Sequence, residues 1–314
     1  MSEVSTIQSP TELSLQNLID TRHEVQKLRF GNKVAGRDFP GQRLARQRGQ
    51  GVEFLDLRQY VSGDDVRHID WNVTARTNEP YTRLYRQEKE QSTIVIVDLR
   101  SIMFTGTTCL RAVAAGRLAA ATLWQAAYNG DRCASIVISG DTVSASRPLT
   151  ENNGVLQALE LIATGFYKTH QATLANNHSA TNEAQLSVAH DMIINNRRNT
   201  GNHLLFSGFD TGQDQHYNEE ILKSAALKNL NAVLLLDRIE LQGLPHGTYR
   251  YRHQNSSNLT LINSRSRKEF AKIVEKSINE KKRQLIRAGI DILATVSTVG
   301  VHEFLTDLQK QSWI

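Results

Sequence analysis

The chain has 314 residues, 39% apolar and 22% charged, enough to bury the core of one large domain or two ordinary ones. Its 37 Lys and Arg exceed 32 Asp and Glu by only five, and two cysteines, Cys109 and Cys133, are too few for a disulfide scaffold or a four-thiolate zinc site. No run of about 18 apolar residues predicts a membrane helix. Met1–Pro10 shows no basic cap followed by an apolar stretch of secretory type, so the expected location is cytoplasmic.

A helical pattern runs from about Thr11 to Phe30, with Leu13, Leu15, Leu18, Ile19, Val25 and Leu28 as its apolar positions. The following segment, Gly31–Gly51, carries glycine at 31, 36, 41, 49 and 51 and predicts an irregular loop. Val52–Tyr60 and Tyr81–Tyr85 alternate as strands, with a turn at Ser62-Gly63-Asp64-Asp65 between them. The rhythm changes near Ser92. Thr93–Val97 is a β-branched run without alternation, the pattern of a strand buried on both faces. A helix over Leu110–Tyr128 comes next, then strands at Ala134–Ser139 and Val143–Arg147. Helices at Gly154–Thr164 and Glu183–Asn195 precede a strand at His203–Phe206, and another helix leads to a strand at Ala232–Leu236. The polar stretch Lys168–Ala180 reads as a mobile loop. A helix at Arg267–Ala288, a strand at Ile290–Thr295 and a helix at Val301–Lys310 complete the order. Strand–helix alternation of this kind predicts an α/β fold with a doubly wound, mostly parallel sheet over residues 93–314. Residues 1–92 form an N-terminal region of helix, Gly/Arg-rich loop and small β element.

Charge is concentrated in two zones. Residues 22–48 hold eight basic side chains against two acidic, and residues 238–287 hold twelve against four. Such zones suit an acidic partner or nucleic acid, or serve as solvated faces.

In a doubly wound sheet, ligands bind beyond the carboxyl ends of the strands. The first strand there ends Asp98-Leu99-Arg100-Ser101-Ile102-Met103. An aspartyl nucleophile for phosphoryl transfer wants a second acid at position 100, where Arg100 stands. The G-x-x-x-x-G-K-[ST] phosphate loop occurs nowhere. A magnesium site wants oxygen ligands that neither Arg100 nor Ile102 supplies. Pairing of Asp98 with Arg100, or helix capping by Asp98, is the simpler expectation. Ten histidines include no H-x-x-x-H pair, and Ser139-Gly140 and Ser207-Gly208 do not form a G-x-S-x-G elbow. Cys109 and Cys133 read as small core residues.

A denser constellation lies earlier: Gly49-Gln50-Gly51-Val52-Glu53-Phe54, Gly63-Asp64-Asp65-Val66-Arg67-His68-Ile69-Asp70-Trp71 and Thr74-Ala75-Arg76-Thr77. Acids and arginines alternate beside a tryptophan, as in a clasp built from bidentate ion pairs or in a recognition surface. The expected clasp residues are Glu53, Asp64, Asp65, Arg67, Asp70, Trp71 and Arg76. Asp70, Arg67 and Arg76 are expected to join one network, with Trp71 packed against the sheet domain.

At these residues, together with Leu57-Arg58-Gln59-Tyr60, Glu88, Met103-Phe104, Gly106 and Gly130-Asp131-Arg132, the chain resembles the domain of unknown function 58 family. Those bacterial proteins are similar to the von Willebrand factor A fold and usually accompany MoxR-type AAA+ ATPases. The resemblance implies a non-enzymatic, protein-binding adaptor for such an ATPase and an unknown client. It also implies an adhesion-site rim, which is degenerate here: Arg100 and Ile102 stand where relatives carry serines, and Ser207-Gly208 stands for Ser-Asp, with Asp210 two residues on. Thr107 or Thr108 fills the threonine position. The expected rim is therefore Asp98, Arg100, Ser101, Thr107, Thr108, Ser207 and Asp210. No cofactor is expected, magnesium at Asp98 at most weakly, with Arg100 as a fixed cation in its place. Nucleic-acid binding through zones 22–48 and 238–287 is the alternative, although those zones lack interleaved aromatics.

Overall fold

The computed structural model describes residues 9–34, 53–86, 92–140, 142–175, 201–209, 230–243, 245, 247–253, 256–262 and 264–314. The helices expected at Glu183–Asn195 and ahead of Ala232, most of the Gly/Arg-rich segment, Glu88 and Asp210 lie outside them. The chain divides into two compact units, residues 43–90 and residues 1–42 with 91–314.

In the larger unit six strands form one sheet: β3 (Ser92–Leu99), β4 (Arg132–Ser139), β5 (Val143–Ala145), β6 (Asn202–Ser207), β7 (Leu230–Leu236) and β10 (Asp291–Val296). Their order is β10-β7-β6-β3-β4-β5, with every pairing parallel except β4 to the edge strand β5. β3 is buried along its whole length, which is why its sequence shows no polar alternation. A separate antiparallel pair, β8 (Gly247–His253) and β9 (Ser256–Ile262), was not foreseen from sequence.

Successive strand residues serve opposite faces. Val95, Val97, Leu99, Val137, Leu204, Phe206, Val233 and Leu235 pack with helices α1 (Leu15–Val34), α3 (Arg111–Tyr128), α4 (Glu151–Leu174) and α7 (Val301–Lys310). Ile94, Ile96, Ile136, Ile138, Leu205, Leu234 and Leu236 form the second cluster, with Ile278 and Leu285 of α6 (Ser264–Arg287). α7 follows the helical period closely, burying Val301, Phe304, Leu305 and Leu308. Alanines at 112, 114, 115, 119, 120 and 121 keep α3 slim enough to be buried nearly all round.

Two expectations change. The N-terminal helix, assigned from sequence to the region before residue 92, belongs to the sheet unit. Leu18 and Val25 are fully buried, the Trp124 indole donates to the Leu18 carbonyl at 3.2 Å, and the Arg22 guanidinium lies 5.2 Å from the Trp124 ring centroid. The loop expected from Lys168 is instead the end of α4, which continues to Leu174. Thr169 is buried there, and its hydroxyl accepts the Gly140 N–H at 3.0 Å, so tertiary contacts extend the helix past its apolar pattern. Among the described residues no helix is long and apolar enough to cross a membrane.

The smaller unit pairs β1 (Glu53–Gln59) antiparallel with β2 (Tyr81–Arg86), with a register shift between Phe54 and Asp56. Their connection holds a 3₁₀ turn, Val66–His68, and α2 (Trp71–Thr77), closed by Asn78 in the left-handed region at φ 57°.

Candidate functional site

Sheet register builds the rim. Val97 pairs with Phe206, so the next residues, Asp98 and Ser207, end adjacent parallel strands side by side. Their side chains meet: the Ser207 hydroxyl donates to Asp98 Oδ2 at 2.7 Å. Arg100 turns back on the same carboxylate. Its Nε donates to Oδ1 at 2.9 Å, its Nη2 to Oδ2 at 2.8 Å and its backbone N–H to Oδ1 at 3.1 Å. Asp98 is fully buried and Arg100 is 5% exposed. Burial alone would raise the Asp98 pKa. The Arg100 charge and hydrogen bonds, with the Ser207 hydroxyl, outweigh it and hold the carboxyl below its ordinary range. The pairing expected from sequence is thus the geometry found.

A second carboxylate completes the rim and was missed. Asp237 follows β7 and caps the short α5 (Arg238–Gln242) in a reciprocal capping box with Glu240. Its carboxylate also accepts the Thr107 N–H at 2.6 Å and hydroxyl at 2.5 Å. Burial opposes ionisation of Asp237, but the Thr107 hydroxyl, the N–H groups of Ile239 and Thr107 and the Arg111 charge keep its pKa lowered. A signal existed: Asp-x-x-Glu directly after an aliphatic strand is a helix-start pattern. What sequence could not supply was its meeting with Thr107, 130 positions away.

Other contacts tie the rim loops together. The Gly208 N–H points to the Met103 sulfur at 3.2 Å, and Lys281 of α6 donates to the Gly208 carbonyl at 2.9 Å. Gly106 permits the tight turn before α3, since a Cβ there would stand 2.1 Å from the Cys109 carbonyl oxygen. Ser101 is half-buried in a 3₁₀ turn, while Thr107 and Thr108 are exposed. Of the expected rim, Asp98, Arg100 and Ser207 converge; Thr107 joins Asp237 instead, and Asp210 lies outside the described residues.

Among the described residues the donor set does not fit magnesium. That ion needs near-octahedral oxygen ligation. Both Asp98 oxygens are engaged by a guanidinium, and Ile102 offers no ligand atom. Neither thiol suits nucleophilic chemistry: burial raises the Cys109 pKa and pushes Cys133 up to about 12.

The expected clasp is wired differently. Asp70 caps α2, accepting from the N–H groups of Asn72 and Val73 at 3.0 and 3.2 Å, and it pairs with Arg83 at 2.9 Å. The Arg83 hydrogen bond is the main cause of its lowered pKa, opposed by desolvation and aided by the two N–H groups. Arg67 and Arg76 are exposed and form no ion pair with Asp70, so the three-residue network is not present. The reason is local: a cap points its carboxylate at the helix start, towards the neighbouring strand. Asp64 closes its own turn, accepting the Val61 N–H at 3.0 Å and pairing with Arg58 at 2.6 Å. Asp65 caps the 3₁₀ turn through the Arg67 N–H. Trp71, expected to be packed, is 68% exposed, and Val61 and Val66 are exposed as well. Glu53 opens β1 opposite Arg86.

Fold and rim define an α/β protein whose mostly parallel sheet carries a sealed Asp–Arg pair at its carboxyl edge. Comparison of sequences places the chain in a family: residues 56–281 match the model described as "Protein of unknown function DUF58", and the chain belongs to that family. Uncharacterized proteins of Mycobacterium bovis and of Mycobacterium tuberculosis, including strain H37Rv, are 34% identical to it over 120 residues. The match spans 37% of this chain and 37% of each relative's length.

Proposed function

We propose that this protein is a non-enzymatic, cytoplasmic adaptor of von Willebrand factor A-like type that works with a MoxR-type AAA+ ATPase and its client. The observation that carries this reading is the Asp98–Arg100 pair, buried at the carboxyl rim of the sheet and sealed by Ser207. A cation is built into the protein where an adhesion site would recruit a metal, so docking at this rim proceeds without magnesium. Because Arg100 is already engaged by Asp98, the partner meets the exposed hydroxyl rim at Thr105, Thr107 and Thr108. Thr107 is also held by Asp237, which fixes the loop that presents them.

Binding of a co-encoded MoxR-type ATPase, measured by calorimetry with and without chelator, tests the reading. The expected result is chelator-insensitive binding that Thr108→Arg weakens. Chelator-sensitive binding, or none, would overturn it.

The alternative, nucleic-acid binding, draws on α6, which carries nine Lys and Arg against three Glu. Duplex DNA affinity falling steeply with salt would favour it.

A further inference from the structure

Between α1 and α3, within the larger unit, lies a cavity of about 440 Å³. A helix that docks on another normally turns an apolar stripe inward. α1 lines this cavity with the polar Asn17, Asp20, Thr21, His23 and Glu24 beside buried Leu18, and Glu12, just ahead of the helix, adds a third carboxylate. From α3 comes Arg117, 8% exposed. Its Nη2 donates to the Val299 carbonyl, and its Nε has no partner among the described residues. Among those residues the guanidinium is therefore buried with a neutral acceptor and no contacting carboxylate, an arrangement that is costly unless something completes it. Glu24 is near enough for its charge to act on Arg117, against the desolvation that lowers the arginine's pKa, yet no ion pair joins the two. Gly116 sets the geometry: a Cβ there would stand 2.3 Å from Leu13 Cδ2, so glycine is what lets the segment leading into α1 seat against α3.

We propose that this cavity is a binding site for a small zwitterion, an amino acid or dipeptide, with its carboxylate on Arg117 and its ammonium on Glu24 and Glu12. The charge pattern selects this class. A simple anion would meet Arg117 but be repelled by the carboxylates of Glu12, Asp20 and Glu24, and a simple cation would meet those carboxylates but be repelled by Arg117. The volume falls within the usual range for small-molecule sites, about 300–1,000 Å³. A ligand held there would bridge α1 and α3 beside the Val299 loop that leads into α7.

The test is titration calorimetry of the full chain with the free amino acids and diglycine, with acetate and ethylammonium as the single-charge halves. At least one zwitterion is expected to bind saturably with a Kd of about 1 mM or tighter, while both halves bind far more weakly. Arg117→Met and Glu24→Gln should each weaken that binding by about tenfold or more. Glu24 is partly exposed, so its variant keeps the test valid if Arg117→Met does not fold. No zwitterion binding at about 10 mM, acetate binding as tightly as the zwitterion, or full affinity in Glu24→Gln would each overturn the proposal.

Discussion

Asp98 and Asp70 carry the same side chain, and each meets an arginine, yet the two regions use the pair in opposite ways. At the sheet rim Asp98 is 0% and Arg100 5% exposed, and the carboxylate accepts from the Arg100 guanidinium and backbone N–H and from the Ser207 hydroxyl. In the smaller unit the Arg83 side chain is 42% exposed, and Arg67, Trp71 and Arg76 face solvent. Burial makes the difference. A desolvated pair has little water to replace a lost partner, whereas an exposed arginine is resolvated at once. The rim charges therefore act as structure, whereas Arg67, Trp71 and Arg76 of the smaller unit stand exposed.

The largest break of this contrast is Arg100→Ala, which strands a buried carboxylate and should cost about 3–5 kcal/mol in urea unfolding. The double variant Asp98→Asn with Arg100→Met should recover most of that loss, because it removes both charges. An Arg100→Ala midpoint equal to wild type would mean that the pair is not sealed from water. Acid unfolding sharpens the same point. The folded pKa values of Asp98 and Asp237 are depressed below the ordinary 3.8, so their stabilisation is full above that value and is lost as pH falls through the lower folded values. The double variant should show a shallower loss in that window.

Asp237→Ala comes next. It removes a helix cap together with the anchor of Thr107 and should cost about 1–2 kcal/mol, read by thermal melting. His203 adds a milder window: burial lowers its pKa, against a hydrogen bond that the ring donates to the Gly201 backbone, so the fold holds it neutral. Stability should therefore begin to fall as pH drops below the ordinary 6.5, ahead of the carboxylates, and His203→Gln should remove that early slope.

The smaller unit should respond least. Asp70→Ala should lower the melting temperature by less than Arg100→Ala, with Arg67→Ala and Arg76→Ala leaving it unchanged. Trp71→Ala should change stability by no more than about 0.5 kcal/mol. A large destabilisation on removing Trp71 would return that residue to a packing role and erase the contrast between the two regions.

Much of this was legible in the chain itself. Runs such as Thr93–Val97 and Ala232–Leu236 announce buried parallel strands, because a strand covered on both faces has no use for polar alternation. The period of Val301–Lys310 matches its helix to the residue. The partnership of Asp98 with Arg100 was also readable, since two residues of opposite charge at i and i+2 lie on the same side of a strand's end. Tertiary structure decided the rest. Ser207 reached Asp98 through strand register, Thr107 reached Asp237 through loop closure across 130 positions, and α1 joined the sheet unit through Trp124. Asp70 chose Arg83 over Arg67 and Arg76 because β2 runs beside the start of α2. Local sequence sets period, turn chemistry and capping. Which distant carboxylate meets which donor depends on how the strands are ordered, and no local pattern encodes that order.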